Sequence, residues 1–289
     1  MKQNIFTLAF TFCTIFSIFA FDWPTSKVVQ ADQFFSYFGQ LRGGTISNSL
    51  IFSEPTEIKA ADKGKAVVLI SDFEDSTDFF PSTLGNAAII SHNDNIITVY
   101  ANIDGKSISE QTKESAYIET GTGLGFSGNS AWQQGRSSLE FQIIDIEKNT
   151  SINPRLFMPR VGKELPLYYG DVVLQNKNGK RFKVASQTYV PSGLYKVYRK
   201  RQAVAIPYKT RVSINGTAVD QISYDALIQN DLQICAAGKK NYPKSVLYPN
   251  NELQLIGEVS LTPGKNALQL LLADILGKET TATYIVNVY

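Results

Sequence analysis

The sequence predicts an all-β protein built as two units, and three observations carry that expectation. Apolar residues recur with period 2 far more often than 3.6, in short runs bounded by Gly, Asn or Asp. Asn178-Gly179 and Asn215-Gly216 are dipeptides that favour type I′ hairpin turns. Asn153-Pro154, followed by Pro159, interrupts the pattern near the middle of the chain and marks a boundary.

Taken in order, residues 1–20 read as a secretory signal peptide. Lys2 is the only charge before Asp22, Ile5 to Phe19 is apolar with small hydroxyls, and Ala20 offers a small residue for cleavage. The rival reading is an uncleaved membrane anchor. The run is shorter than the roughly 20 residues that span a bilayer and no basic cluster follows it, which favours export without a remaining span, to the periplasm, the cell envelope or the medium. Cleavage removes Cys13 and leaves Cys235, which reads as a small buried hydrophobe. Residues 21–37 form an N-terminal segment with a short helix, since Phe34, Phe35 and Phe38 share a helical face within Ala31–Phe38. Strands are expected at Ala66–Ser71, Ala87–Ser91, Ile96–Asn102 and Ser138–Ile144. Further strands are expected at Asp171–Gln175, Lys183–Tyr189, Leu194–Arg199, Thr210–Ile214, Leu253–Val259, Ala267–Asp274 and Thr281–Tyr289.

Composition sets limits on the chemistry. A chain of 289 residues with 43% hydrophobic and 19% charged residues is neither disordered nor a multi-span membrane protein. It has one histidine, His92, so no site built on two imidazoles exists, and a Ser-His-Asp device would have to use that one residue. Charge is divided at the boundary. Residues 21–154 carry 9 Lys+Arg against 17 Asp+Glu, a net of −8, and residues 155–289 carry 18 against 9, a net of +9. Lys177 to Lys183 and Lys196 to Arg201 concentrate the positive charge, which suits an anionic envelope polymer or lipid surface; export argues against nucleic acid.

Phe38-Gly39-Gln40-Leu41-Arg42-Gly43-Gly44, the Pro55–Val67 stretch with Gly64 in its turn, Leu84–Asn93 with Thr98–Ile103, Gly125–Asn129, Ser137–Ile143 and Ile152-Asn153-Pro154 follow one another in a familiar order. Over residues 38–159 the chain resembles the lysostaphin/LytM-type zinc endopeptidases, which cut peptide bridges in peptidoglycan. The resemblance implies a LytM-like antiparallel β-sheet domain, and it also identifies what has changed. Ser47 stands at the family's first zinc histidine and Ile51 at its zinc aspartate. Asn102 and Ser138 stand at its two catalytic histidines, and Glu140 at its third zinc ligand. His92 aligns outside the metal site. Residues 160–289 read as a β-sandwich, and the stretch Leu261-Thr262-Pro263-Gly264 through Asp274 and Gly277 resembles the final hairpin of immunoglobulin-like bacterial domains.

Other chemistries find little support. Gly121-Thr122-Gly123-Leu124-Gly125 lacks the helix a nucleotide loop opens, and Gly125–Asn129 lacks the spacing of a nucleophile elbow. Asp72, Glu74, Asp75 and Asp78 form an acidic loop without EF-hand spacing. The resemblance therefore implies a pseudo-peptidase with no catalytic residue, no metal ligand and no zinc cofactor. Its vestigial groove, Ser47, Ile51, Asn102, Ser138 and Glu140, would bind peptidoglycan or a cell-wall hydrolase. The alternatives are a structural or adhesive protein acting through the basic sandwich, and a metalloendopeptidase with a relocated site.

Overall fold

The computed structural model describes residues 21–71, 82–114, 117–132 and 136–289. Residues 1–20, expected to be a signal peptide and containing Cys13, and the acidic residues Asp72, Glu74, Asp75 and Asp78, lie outside the described residues. No helix among the described residues is long and apolar enough to cross a membrane.

The fold is almost entirely strand. The first half runs β1 Phe34–Ser36, β2 Leu41–Arg42, β3 Thr45–Ile46, β4 Leu50–Phe52, β5 Glu57–Lys59, β6 Gly64–Ile70, β7 Asn86–Ser91, β8 Ile96–Ile103, β9 Tyr117–Ile118, β10 Gly123–Phe126, β11 Glu140–Asp145 and β12 Thr150–Ile152. The second half runs β13 Val172–Asn176, β14 Arg181–Lys183, β15 Tyr189–Val190, β16 Gly193–Lys200, β17 Lys209–Ile214, β18 Thr217–Asn230, β19 Gln233–Ala237, β20 Asn241–Pro243, β21 Leu253–Leu261, β22 Gly264–Ala273 and β23 Glu279–Val288.

In the second half, the order β15-β23-β22-β17-β18 faces a four-stranded sheet, β14-β13-β16-β21. Alternate residues of both sheets, including Leu174, Val197, Ile256, Leu270 and Val286, close a core between them, as a two-sheet sandwich requires. The first half is a sheet in the order β12-β11-β8-β7-β6-β9, with β4 on β11 and β1 on β4.

The two halves share one continuous sheet. β12 pairs antiparallel with β18, Thr150 opposite Ile228 and Ile152 opposite Ala226. A single core cluster runs from Trp23, Phe38, Leu50 and Phe141 to Tyr224, Tyr248 and Leu255. Polar groups reinforce this seam. Tyr248 donates its hydroxyl proton to the carbonyl of Gly39 at 2.7 Å, and Gln254 Nε2 donates to the hydroxyls of Tyr224 and Tyr248 at 3.3 Å each. Gly39 is required here on two counts: its φ is +84°, and a Cβ would lie 2.5 Å from the Tyr224 ring.

Several expectations are corrected. Ala31–Phe38 is a 3-10 turn at Ala31–Gln33 followed by β1, because pairing of Phe34 with Phe52 makes the backbone extended. Phe34 and Phe38 are therefore buried while Phe35 points outward. Lys183–Tyr189 is not one strand: the amides of Ser186 and Gln187 turn back onto the Lys183 carbonyl. Asn215 and Gly216 both have positive φ and close a two-residue β17–β18 turn, as type I′ demands. At the other dipeptide only Gly179 is left-handed, and the Asn176 side chain accepts from the amides of Asn178 and Lys180 to hold a longer loop. Gly64 opens β6 instead of sitting in a turn, and a Cβ there would lie 2.5 Å from the Ser91 carbonyl oxygen. β18, with 14 residues, had no expectation at all. Buried Asp220 breaks its apolar alternation, and a register shift between Ser223 and Leu227 inverts its phase.

Buried tyrosines make the fold sensitive to alkali. Burial pushes the Tyr100 and Tyr198 hydroxyls up to about 12, and raises those of Tyr37, Tyr169, Tyr242 and Tyr248. Unfolded tyrosine ionises near 10, so between about 10 and 12 the unfolded state binds fewer protons than the folded one and stability falls as pH rises. Fully buried Tyr100 alone accounts for about 3 kcal/mol. Urea midpoints measured from pH 8 to 12 should be flat to about pH 10 and drop steeply above it; a flat profile to pH 11.5 refutes this.

Candidate functional site

A cleft of about 810 Å³ opens above the β4–β11 ladder, and its wall is shared between the two halves. Ile51 on β4 stands directly opposite Glu140 on β11, and Glu140 faces Ala101 of β8 on its other side. Strand alternation puts Gln142 on the same side as Glu140, so both line the cleft. The tight hairpin of β2 and β3 turns on Gly43, with φ +55°, and carries Arg42 to the same place.

Glu140 is buried and organises what surrounds it. Arg42 grips its carboxylate with a two-pronged fork, Nη1 to Oε1 at 2.7 Å and Nη2 to Oε2 at 3.1 Å. Ser49 Oγ donates to Oε1 at 2.8 Å, and the Ser47 hydroxyl lies 3.3 Å from Ser49 Oγ. Asn48 Nδ2 donates to Gln142 Oε1 at 3.4 Å. A carboxylate taken out of water costs several kcal/mol unless a charge and hydrogen bonds compensate, and here Arg42 and Ser49 do so.

Three of the five positions singled out by the sequence, Ser47, Ile51 and Glu140, thus converge on the cleft, while Asn102 and Ser138 are not among its lining residues. Asn102 instead occupies a bulge of β8 with φ +66°. Its Nδ2 donates to the carbonyls of Arg136 and Ser138 at 3.0 and 2.7 Å, and its Oδ1 accepts from the amides of Ser130 and Ala131 at 2.9 Å each. Both donors and both acceptor lone pairs of the amide are engaged by the chain itself, so Asn102 links Ser130 and Ala131 to Arg136 and Ser138. Ser138 is buried. His92 lies away from the cleft, its Nδ1 2.8 Å from the Lys63 carbonyl and its Nε2 2.8 Å from Thr98 Oγ1.

The cleft also contains residues that sequence reasoning missed. Exposed Phe35 and Trp132 form apolar walls, and Arg136 stacks over the Phe35 ring at 4.0 Å. Arg201, Ala203 and Val204 come from the second half, held by Gln40 Nε2 donating to the Ala203 carbonyl at 2.5 Å. Gln142 lies two residues from Glu140 on β11, a spacing that strand alternation makes readable, whereas Ser49, which reaches Glu140, sits in the link between β3 and β4. Nothing in the local sequence pairs Arg42 with Glu140.

Zinc takes imidazole, thiolate or carboxylate donors in a four-coordinate shell. Ile51 has no lone pair, Ser47 offers a neutral hydroxyl, and both Glu140 oxygens face a guanidinium. Among the described residues, no three His, Cys, Asp or Glu side chains cluster as a metal site would need. The donor set does not fit the ion.

With this geometry in hand, residues 48–154 match the model of Peptidase family M23, so the first half carries a domain of that class, in agreement with the resemblance over residues 38–159. A separate family model matches residues 166–289. An uncharacterized protein of Treponema pallidum (strain Nichols) is 32% identical over 121 residues, covering 39% of this chain and 79% of that protein, and this chain belongs to the same family. Among solved structures, a chain of the SpoIIIAH and SpoIIQ complex is similar at 16% identity and TM-score 0.36, over 48% of this chain and 99% of that one. A zinc containing peptidase from Vibrio cholerae is similar at 18% identity and TM-score 0.37, over 51% of this chain and 41% of that one.

Arg42→Ala leaves Glu140 buried without its cation and should cost about 2–4 kcal/mol, while Glu140→Gln in the same chain should restore part of that loss. Urea unfolding of the double-mutant cycle checks this, and additive effects overturn it. Asn102→Gly keeps the left-handed backbone but removes four hydrogen bonds, and should cost more than about 2 kcal/mol in the same assay.

Proposed function

We propose that this is an exported, non-hydrolytic M23-type protein that binds peptidoglycan or a cell-wall hydrolase through its cleft. One observation carries the reading: a guanidinium from Arg42 holds Glu140, the carboxylate at the family's third zinc-ligand position. A metallopeptidase uses the open coordination position of a held metal to activate water. In this reading an internal cation supplies the positive charge, has no open coordination position, and activates nothing. The scaffold is kept for recognition.

The cleft's chemistry is suited to a peptide or a partner's loop. Trp132 and Phe35 offer apolar surface, with Asn48, Gln142 and Ser47 supplying hydrogen bonds between them. The second half, in this reading, is an immunoglobulin-like sandwich. Its support is the strand order β15-β23-β22-β17-β18 with the parallel pairing of β15 and β23. Export rests on residues 1–20.

The test uses the whole exported chain, because the halves share one core. Purified protein should contain less than about 0.1 equivalent of zinc, fail to cleave purified sacculi, and still bind either sacculi or a cell-wall hydrolase. Trp132→Ala should weaken that binding at least tenfold with an unchanged melting temperature. Stoichiometric zinc with chelator-sensitive cleavage, or full binding by Trp132→Ala, overturns the proposal.

A further inference from the structure

The second half has a face that the cleft does not use. On the outer side of the β14-β13-β16-β21 sheet, register places Arg181, Gln175, Lys196 and Glu258 in one row across four strands. Neighbouring strands are about 4.8 Å apart, so Arg181 and Lys196 stand roughly 10 Å from one another across Gln175. Lys177 extends the row at the exposed β13–β14 turn, while Lys180 leans to the other side, over the core-facing Phe182 ring at 5.2 Å.

The anions on this face are already engaged. Glu258 is held by Lys240 at 2.9 Å, and Asp171 by Lys183 at 3.5 Å. Among the described residues, Lys177, Lys180, Arg181 and Lys196 have no acidic partner. Sheets ordinarily place opposite charges across strands, since like charges on one face repel. Here Lys196 has Glu258 as its cross-strand neighbour, but Lys240 holds that carboxylate, so Lys177, Arg181 and Lys196 leave the face positive, a layout that raises the local concentration of a polyanion.

We infer that this sheet face docks a polymer bearing repeated phosphate or carboxylate groups, with Arg181 and Lys196 as its central contacts and Lys177 at its edge. A polymer fits better than a bilayer surface. The turn is Lys177-Asn178-Gly179-Lys180, with no apolar residue to insert, and of the outward residues of β16 only Leu194 is a large exposed hydrophobe. The site is separate from the cleft and does not depend on what the cleft binds.

Titrations of the whole exported chain with fluorescent long-chain polyphosphate, with poly-glutamate, and with phosphatidylglycerol vesicles decide the matter. Arg181→Gln with Lys196→Gln should weaken polymer binding at least tenfold, and should reduce the slope of log K against log salt by about one or more. Lys265→Gln with Lys278→Gln removes the same charge from exposed positions on β22 and the β22–β23 turn, and should change binding less than twofold. Binding of polyphosphate alone, or of both polymers, supports the inference and identifies the anion. Equal losses in the two variant pairs, no polymer binding, or binding to vesicles alone overturns it. A circular dichroism melt verifies that each variant is folded.

Discussion

The β12–β18 ladder is the contact on which the rest of the molecule depends. It turns two sheets into one and lets a single core run from Trp23 to Leu255. Across it, Tyr248 and Tyr224 hold Gly39, and the Gly39 amide in turn donates to the Ser47 carbonyl at 2.7 Å. The loop that the M23 motif places at the mouth of the site is thus supported from the second half. That half also contributes Arg201, Ala203 and Val204 to the cleft wall. In physical terms the cleft belongs to the whole chain, although the family match ends at residue 154.

Within the cleft, the chemistry is set by a buried carboxylate. A metal-binding scaffold gathers ligands around a dication, and losing the ion would leave any remaining anion desolvated and unpaired. Arg42 answers that problem with a planar fork that matches both oxygens, which a lysine ammonium on the same stem would not do. Ser49 completes the shell with a neutral donor. The result is an arrangement in which the buried carboxylate is electrostatically satisfied at rest.

Several strands were legible in the sequence: β7, β8 and β11 are short apolar runs, buried on both faces and bounded by turn residues, and β17 alternates buried with half-buried positions. The order of M23 motifs located Ile51 beside Glu140 without reference to coordinates. Other features were hidden for reasons that can be named. Arg42 and Glu140 are 98 residues apart, so no local pattern announces their pairing. Asn102 was expected to face the groove from its motif position, but its backbone is left-handed and its side chain accepts from the Ser130 and Ala131 amides instead. The β18 strand hid behind its own register shift. Helical spacing at Phe34, Phe35 and Phe38 misled because three aromatics close together also suit an edge strand and its turn. The Arg201–Val204 wall is a matter of tertiary placement alone.

The Tyr248–Gly39 hydrogen bond spans 209 residues of chain. A polypeptide is made, and threaded through any export channel, from its N-terminus. The loop bearing Ser47 therefore emerges long before Tyr224 and Tyr248 are available to brace it, and β12 waits as an unpaired edge until β18 arrives. The M23 half of this protein cannot mature on its own schedule. Its cleft is completed only when Arg201, Ala203 and Val204 reach the wall, and a chain cut short before β18 would leave β12 as an open edge.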